Sequence, residues 1–283
     1  MVRWKRMAMV AAALGLCAGP VAAATWTNWS GGTNCLGSSS CDSAITGNFG
    51  NSRTGTASGT SITVTASAWS FTGSSSNTTL ENAYLSLWSG SGLGVTNRDY
   101  NSGDPELSSP NHALDNANRV DYILFNFNSP TGTLVNLTSV TAGWVDSDAD
   151  ITVLAYMGTG APPALGNKTR SQLLSDGWQL VGHYGCSNLG CNSAAEPQTV
   201  TLGTTVSSNY WLIGAYDSSS TLANASKTTG SPNASPYDYL KIASISGTET
   251  KRVPEPGSAA LFGGAMLAGL LALRRSRGRL SRG

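Results

Sequence analysis

Charge is scarce in this chain. Lysine, arginine, aspartate and glutamate make up 12% of the 283 residues, about half the usual share. Histidine occurs only twice, at His112 and His183. No Gly-x-Ser-x-Gly elbow and no His-Glu-x-x-His helix is present, so the best-known signatures of serine hydrolases and zinc peptidases are missing. No β-α-β rhythm runs through the sequence, which argues against a doubly wound fold. No period of 20–50 residues recurs, which argues against solenoids and propellers. A glycosidase needs two carboxylates across a cleft, and the acidic residues single out no such pair. No catalytic residue is therefore assigned, and the chain is read as not an enzyme.

Glycine (33 residues), serine, threonine and asparagine supply the polarity instead. Between them lie short segments with period-two alternation, at 62–68, 83–88, 120–127, 134–145, 151–157, 178–184, 199–202, 210–216 and 237–245. Such spacing predicts an all-β fold, a single antiparallel β-sandwich of jelly-roll-like form with about nine or ten strands. One short helix is expected, because Thr169-Arg170-Ser171-Gln172 fits a capping box and Asp176-Gly177 ends the run. Residues 217–236 read as a long surface loop.

The two ends read as addresses. Arg3, Lys5 and Arg6 precede an apolar stretch at 7–16, and Ala22-Ala23-Ala24 offers small residues for cleavage between Ala24 and Thr25. This predicts a signal peptide over 1–24. At the other end Val253-Pro254-Glu255-Pro256 is followed by an uncharged run at 257–273 and by five arginines within 274–283. The run spans about 25 Å as a helix, at the short edge of what crosses a bilayer. The arginines mark a cytoplasmic flank and put the preceding chain outside. Pro254 and Pro256 keep Glu255 extended just outside the membrane. The expected order is a signal peptide (1–24), an extracellular domain (25–246), a linker (247–256), a transmembrane helix (257–273) and a basic cytoplasmic tail (274–283).

That C-terminal arrangement resembles the PEP-CTERM sorting signal. The resemblance implies a bacterial protein exported through the Sec translocon and trimmed by signal peptidase. It would then be held at the inner membrane and cleaved by exosortase, a membrane cysteine protease. The destination would be the cell surface or extracellular matrix. A Leu-Pro-x-Thr-Gly sortase motif is absent, and GPI tails end apolar rather than basic. The run Ser109-Pro110-Asn111-His112-Ala113-Leu114-Asp115-Asn116, with Asp121-Tyr122-Ile123-Leu124-Phe125 after it, is similar to a stretch in exosortase-dependent surface proteins of unassigned function.

With both ends set aside, nine basic residues face sixteen acidic ones, a net charge of about −7 over 25–256. That argues against nucleic acid as a partner. Five cysteines become four once Cys17 goes with the signal. Cys35, Cys41, Cys186 and Cys191 allow three pairings. Local Cys35–Cys41 and Cys186–Cys191 bridges are favoured, since each pair brackets a Gly/Ser/Asn-rich loop in an exported chain. Zinc is the alternative, with spacings that match no tight knuckle and no histidine alongside.

Two acidic stretches invite a metal. The loop at 97–119 is unusually long for a compact domain. It carries Asp99, Asp104, Glu106, His112 and Asp115, with Asp121 just beyond. Asp99, Asp104, Asp115 and Asp121 are candidate calcium ligands. The alternative is a solvated acidic loop held by Arg98 and Arg119, with no cofactor. Asp146-Ser147-Asp148-Ala149-Asp150 resembles half of an EF-hand loop, but Ile151 and Met157 stand where glycine and glutamate are required, so a polar turn is the simpler reading. His112 and Asp115 are too weakly spaced to argue an acid–base pair. The tryptophans are read mainly as core. Trp26 and Trp29, outside any strand signal, are the better candidates for exposed sugar-stacking rings. The functional expectation is a non-catalytic surface or matrix protein associated with exopolysaccharide or biofilm. A carbohydrate-binding module on the same delivery system is the alternative, and a secreted hydrolase comes third.

Overall fold

A computed structural model describes residues 23–251, apart from 33–44, 46, 102, 105, 108, 111, 147, 186–195, 220, 223–227 and 230–236. Val253, Pro254, Glu255, Pro256, the apolar run and all four domain cysteines (Cys35, Cys41, Cys186, Cys191) lie outside the described residues. Among the described residues no helix is long and apolar enough to cross a membrane.

The described chain is mostly β, as the alternation predicts. Strands β1 (Ala23–Ser30), β2 (Ser52–Thr56), β3 (Thr63–Gly73), β4 (Thr79–Asn82), β5 (Tyr84–Trp88), β6 (Gly92–Thr96), β7 (Leu114–Asp115), β8 (Asp121–Asn128), β9 (Thr133–Asp146) and β10 (Ile151–Tyr156) precede helix α1 (Arg170–Ser175). Strands β11 (Trp178–Tyr184), β12 (Gln198–Thr201), β13 (Tyr210–Ala215), β14 (Thr228–Thr229) and β15 (Tyr239–Lys251) follow it. They form one hydrogen-bonded sheet in the order β12-β9-β15-β1-β2-β3-β8-β13-β10-β11-β14. Strands β6 and β7 pair with β15, β5 with β6, and β4 with β3. The contact between β11 and β14 is parallel; the long pairings, such as β15 with β9 and β3 with β8, are antiparallel.

β1 changes partner halfway along. Ala23 to Trp26 pair with β15, Trp26 lying opposite Ile245. Thr27 and Ser30 pair with β2, with an irregularity between them. Asn28 adopts a φ of 53° there, a conformation asparagine tolerates better than most residues. In an unbroken strand Trp26 and Trp29, three residues apart, would face opposite sides. A bulge adds one residue to the count and turns both inward.

Both rings are accordingly core, and the expectation that they are exposed sugar platforms is overturned. Trp26 is fully buried, donates from Nε1 to the Ile62 carbonyl at 2.8 Å and meets Phe127 edge-on at 4.8 Å. Trp29 Nε1 donates to the Ala243 carbonyl at 2.8 Å. Its ring lies flat against Gly55, where a Cβ would come within 2.4 Å of it.

One core joins the faces on either side of that bend. Val64 and Ala66 of β3, Ile123 and Phe125 of β8, Val135 and Leu137 of β9, and Ile242 and Ile245 of β15 belong to a single buried cluster. A second cluster covers the other face of β8, β10, β11 and β13, where Tyr122, Leu154, Leu212 and Trp178 pack with Leu173 of α1. Both faces of β8 are therefore buried, which explains its near-continuous apolar run. α1 begins as predicted: Thr169 Oγ1 accepts the Gln172 N–H at 3.3 Å, and Gln172 Oε1 accepts the Thr169 N–H at 2.9 Å.

The boundaries of the predicted segments shift. β15 continues to Lys251, so 247–251 belong to the sheet rather than to the linker. β1 begins within the predicted signal segment, with Ala23 opposite Thr248 and Ala24 opposite Gly247; Thr25 follows opposite Ser246. Replacing Trp26 by alanine removes a core indole and its hydrogen bond. The expected cost is about 3–5 kcal/mol of unfolding free energy, measured on the full chain in detergent by denaturant titration; a change below 1 kcal/mol would contradict the packing described.

Candidate functional site

The segment 97–119 leaves β6 and returns through β7 to β8. It is fastened to β6 by close backbone approach. Val95 N–H donates to the Ala113 carbonyl at 3.1 Å. At Gly94 a Cβ would lie 2.4 Å from the His112 carbonyl oxygen, so only glycine lets the returning chain sit this low.

Beneath that segment four carboxylates gather. Asp104, Glu106, Asp115 and Asp121 are all fully buried. Asp104, Glu106 and Asp115 each place an oxygen within 4.8 Å of the others. Asparagine side chains and backbone N–H groups orient them. Asn97 Nδ2 donates to Asp104 Oδ2 at 2.8 Å and to Glu106 Oε1 at 2.7 Å, and its backbone N–H donates to Glu106 Oε2 at 2.8 Å. Asn118 Nδ2 holds Asp104 Oδ1 at 2.9 Å, and Ala117 N–H holds Asp115 Oδ1 at 3.0 Å.

The remaining oxygens are different. Asp115 Oδ2 and both oxygens of Asp121 have no hydrogen-bond partner. Ser70, opposite Asp121 in the β3–β8 ladder, is buried with its own hydroxyl unpartnered. Ser70, Asn97 and the Asp115 backbone lie near enough to ease the charge on Asp121, but none closes a bond to it. Burial pushes Glu106 well above the usual carboxylate range, and Asp121, Asp115 and Asp104 add repulsion. Burial raises Asp115 and Asp121 in the same way, with Asp121 adding most to Asp115 and Asp104 adding to Asp121. Among the described residues no lysine or arginine forms an ion pair with these four.

The structure thus unites three of the four aspartates that the sequence singled out and adds Glu106. Asp99 stays apart: its Oδ2 takes the Arg119 Nε at 2.7 Å, and its N–H closes a turn onto Asn97 Oδ1 at 2.9 Å. The solvated-loop alternative fails for Asp104, Glu106 and Asp115, which are fully buried. Of the loop's acids Arg119 pairs with Asp99, and its Nη1 donates to the Asn118 carbonyl at 3.0 Å, while Arg98 reaches the Asn82 carbonyl at 2.9 Å.

A second acidic nest lies beside the first. Asp148, Asp150 and Asp238 bring oxygens within 4.8 Å of one another, and all three are buried. Asp146 and Asp148 are joined by a bridge, with the Asp148 N–H donating to the Asp146 carbonyl at 2.8 Å. Asp238 joins the nest from a distant part of the chain. Here the oxygens are held: Ala149 N–H reaches Asp148 Oδ1 at 2.9 Å, Asp150 N–H reaches Asp238 Oδ1 at 2.8 Å, and Asn116 Nδ2 reaches Asp238 Oδ2 at 2.7 Å. Burial, then the charges of Asp150 and Asp148, push the Asp238 carboxyl up to about 8. Asn116 joins the nests, since it follows Asp115 in the chain and accepts the Asp238 N–H at 2.8 Å.

The histidines do other work. His112 stacks on Trp88 with centroids 4.1 Å apart, while Asp115 turns into the nest. His183 is buried. Its Nδ1 lies 2.9 Å from Thr152 Oγ1 and its Nε2 lies 2.9 Å from the Leu222 carbonyl. The carbonyl only accepts, so Nε2 carries the proton and Nδ1 accepts from the threonine. Lys241 is buried with Nζ 3.5 Å from the Trp144 ring centroid, and burial pushes it down to about 7.

Comparison with protein-family models, curated proteins and solved structures finds no match for this chain. What the site can do must come from its own chemistry. An all-oxygen set of carboxylates suits a hard cation rather than zinc or copper.

Asp238 gives a pH prediction. Unfolded, its carboxyl releases the proton near the ordinary aspartate value of 3.8; folded, it keeps it to about 8. The folded state therefore holds an extra proton between those limits, and stability falls as pH rises through them. With chelator present, the melting temperature of the full chain should decline from pH 5 to pH 8, and Asp238→Asn should flatten that decline. Parallel profiles for the two proteins would refute the assignment.

Proposed function

We propose that the chain is an exported, non-catalytic surface or matrix protein of a bacterium, sorted by exosortase and working within an exopolysaccharide-rich envelope. One observation carries this reading: Val253-Pro254-Glu255-Pro256, the uncharged run 257–273 and five arginines within 274–283 stand in that order. A greasy helix followed by cationic residues anchors with its basic side in the cytosol, leaving the proline-flanked glutamate outside for a protease. In this reading the two parts of the sheet, linked by β1, face each other across the shared core as a jelly-roll-like sandwich.

The fold supports the reading. β1 and β15 are antiparallel neighbours, with Ala23 opposite Thr248. The chain therefore enters and leaves the domain at the same end, which suits a domain whose leader and anchor engage one membrane. The opposite end of β15, at Tyr239, lies about 40 Å away at about 3.3 Å per residue. That distal rim holds both acidic nests, since Tyr239 pairs with Asp115 and with Asp146. The carbohydrate-binding alternative loses the rings it relied on, because Trp26 and Trp29 are core.

The test is processing in a host that has the protease. Glu255→Ala, or deletion of 254–256, should leave a larger species retained in the inner-membrane fraction, while the parent chain reaches the surface in shorter form. Immunoblots showing the same size and location for both would sink the sorting reading.

A further inference from the structure

We propose that Asp104, Glu106, Asp115 and Asp121 form a calcium site at the rim of the domain farthest from the tether. The first argument is that the charge has no other partner. Four fully buried carboxylates sit together, and an uncompensated buried carboxylate is costly unless it is protonated, paired or bound to metal. Among the described residues no cationic side chain pairs with them.

The second argument is the direction in which the oxygens are used. Asn97 and Asn118, with two backbone N–H groups, donate to both oxygens of Asp104, to both of Glu106 and to Oδ1 of Asp115. Three oxygens, Asp115 Oδ2 and both of Asp121, are buried and close no hydrogen bond. Asp121 comes from a different element, β8, and its charge is the largest acting on Glu106, so its carboxylate is directed into the gathering rather than away from it. Carboxylates oriented by amide donors, with unmatched carboxylate oxygens beside them, are what outer hydrogen bonds to metal ligands produce.

The neighbouring nest supplies the contrast. Around Asp238 both oxygens accept hydrogen bonds. Neither oxygen of Asp121 is matched in that way, so its nest is the one that calls for a cation.

Calcium is favoured over magnesium by the donors. Calcium accepts six to eight oxygens in flexible geometry, whereas magnesium keeps its waters and seldom enters an all-protein cage. Bound there, the ion would tie the 97–119 segment to β8 and β15. The site depends on nothing in the sorting tail, so either idea can fail alone.

The test uses the full chain in detergent, stripped with chelator and titrated with calcium chloride. One ion should bind per chain, and saturation at one hundred times Kd should raise the melting temperature by about 5–10 °C. Asp121→Asn should weaken binding at least tenfold and, by removing a buried charge, raise the melting temperature of the stripped protein. Glu106→Gln should weaken binding as well and covers the case in which the first variant fails to fold. Asp99→Asn should bind as the parent does. No uptake at 1 mM calcium, undiminished binding by Asp121→Asn, or magnesium displacing calcium at equal concentration would each overturn the proposal. Loss of binding in Asp238→Asn alone would put the ion in the other nest and overturn it too.

Discussion

The ladder of backbone hydrogen bonds along β15 is the constraint to which the other elements answer. Buried amide and carbonyl groups must find partners, and β15 supplies them to β9 along almost its whole length and to β1 near its end. Its first residues also accept β7, and Ile242 pairs with Leu93 of β6. The bend of β1 follows from this, because β1 must leave β15 to reach β2. The acidic rim follows too, because β7 is held only where β15 begins.

The two nests show how one stress is relieved in two ways. Both collect carboxylates out of reach of water, and in both burial outweighs every other influence on the proton. They differ in their donors. Around Asp238 an asparagine amide and a backbone N–H meet both oxygens. Around Asp121 comparable donors are spent on Asp104, Glu106 and Asp115, and the last carboxylate is left bare. Which oxygens remain unmatched therefore carries more information than how many acids are clustered.

Much of the fold was legible from period-two alternation. The segment 178–184 matches β11 residue for residue, and the capping box at Thr169 located α1. The elements that escaped notice are those whose alternation is disturbed. β1 hides because its bulge puts Trp26 and Trp29 on one face at an odd spacing. β2 reads Ser-Arg-Thr-Gly-Thr, with Arg53 as a buried position and Gly55 reduced to make room for an indole. β6 is buried on both faces and rich in glycine, so it shows no polar side. At the rim, Asp104, Asp115 and Asp121 were legible because they crowd a long loop in a chain otherwise poor in charge. Asp99 was wrongly included because composition does not reveal which acid finds an arginine. Asp238 was missed because its companions are almost ninety positions away in the chain, and only the pairing of β15 with β9 brings them together.

The direction of β15 has a mechanical consequence. β15 ends at Lys251, and the other extremity of the strand lies at the acidic rim. Were the proposed anchor to hold the Lys251 end while surrounding matrix gripped the rim, tension would run along the strand axis. The bonds to β9 and β1 are perpendicular to that pull, so they resist sliding together instead of being peeled apart singly. On the proposed sorting, a strand aligned in this way would act as a tie-rod between a cell and whatever holds its outer tip.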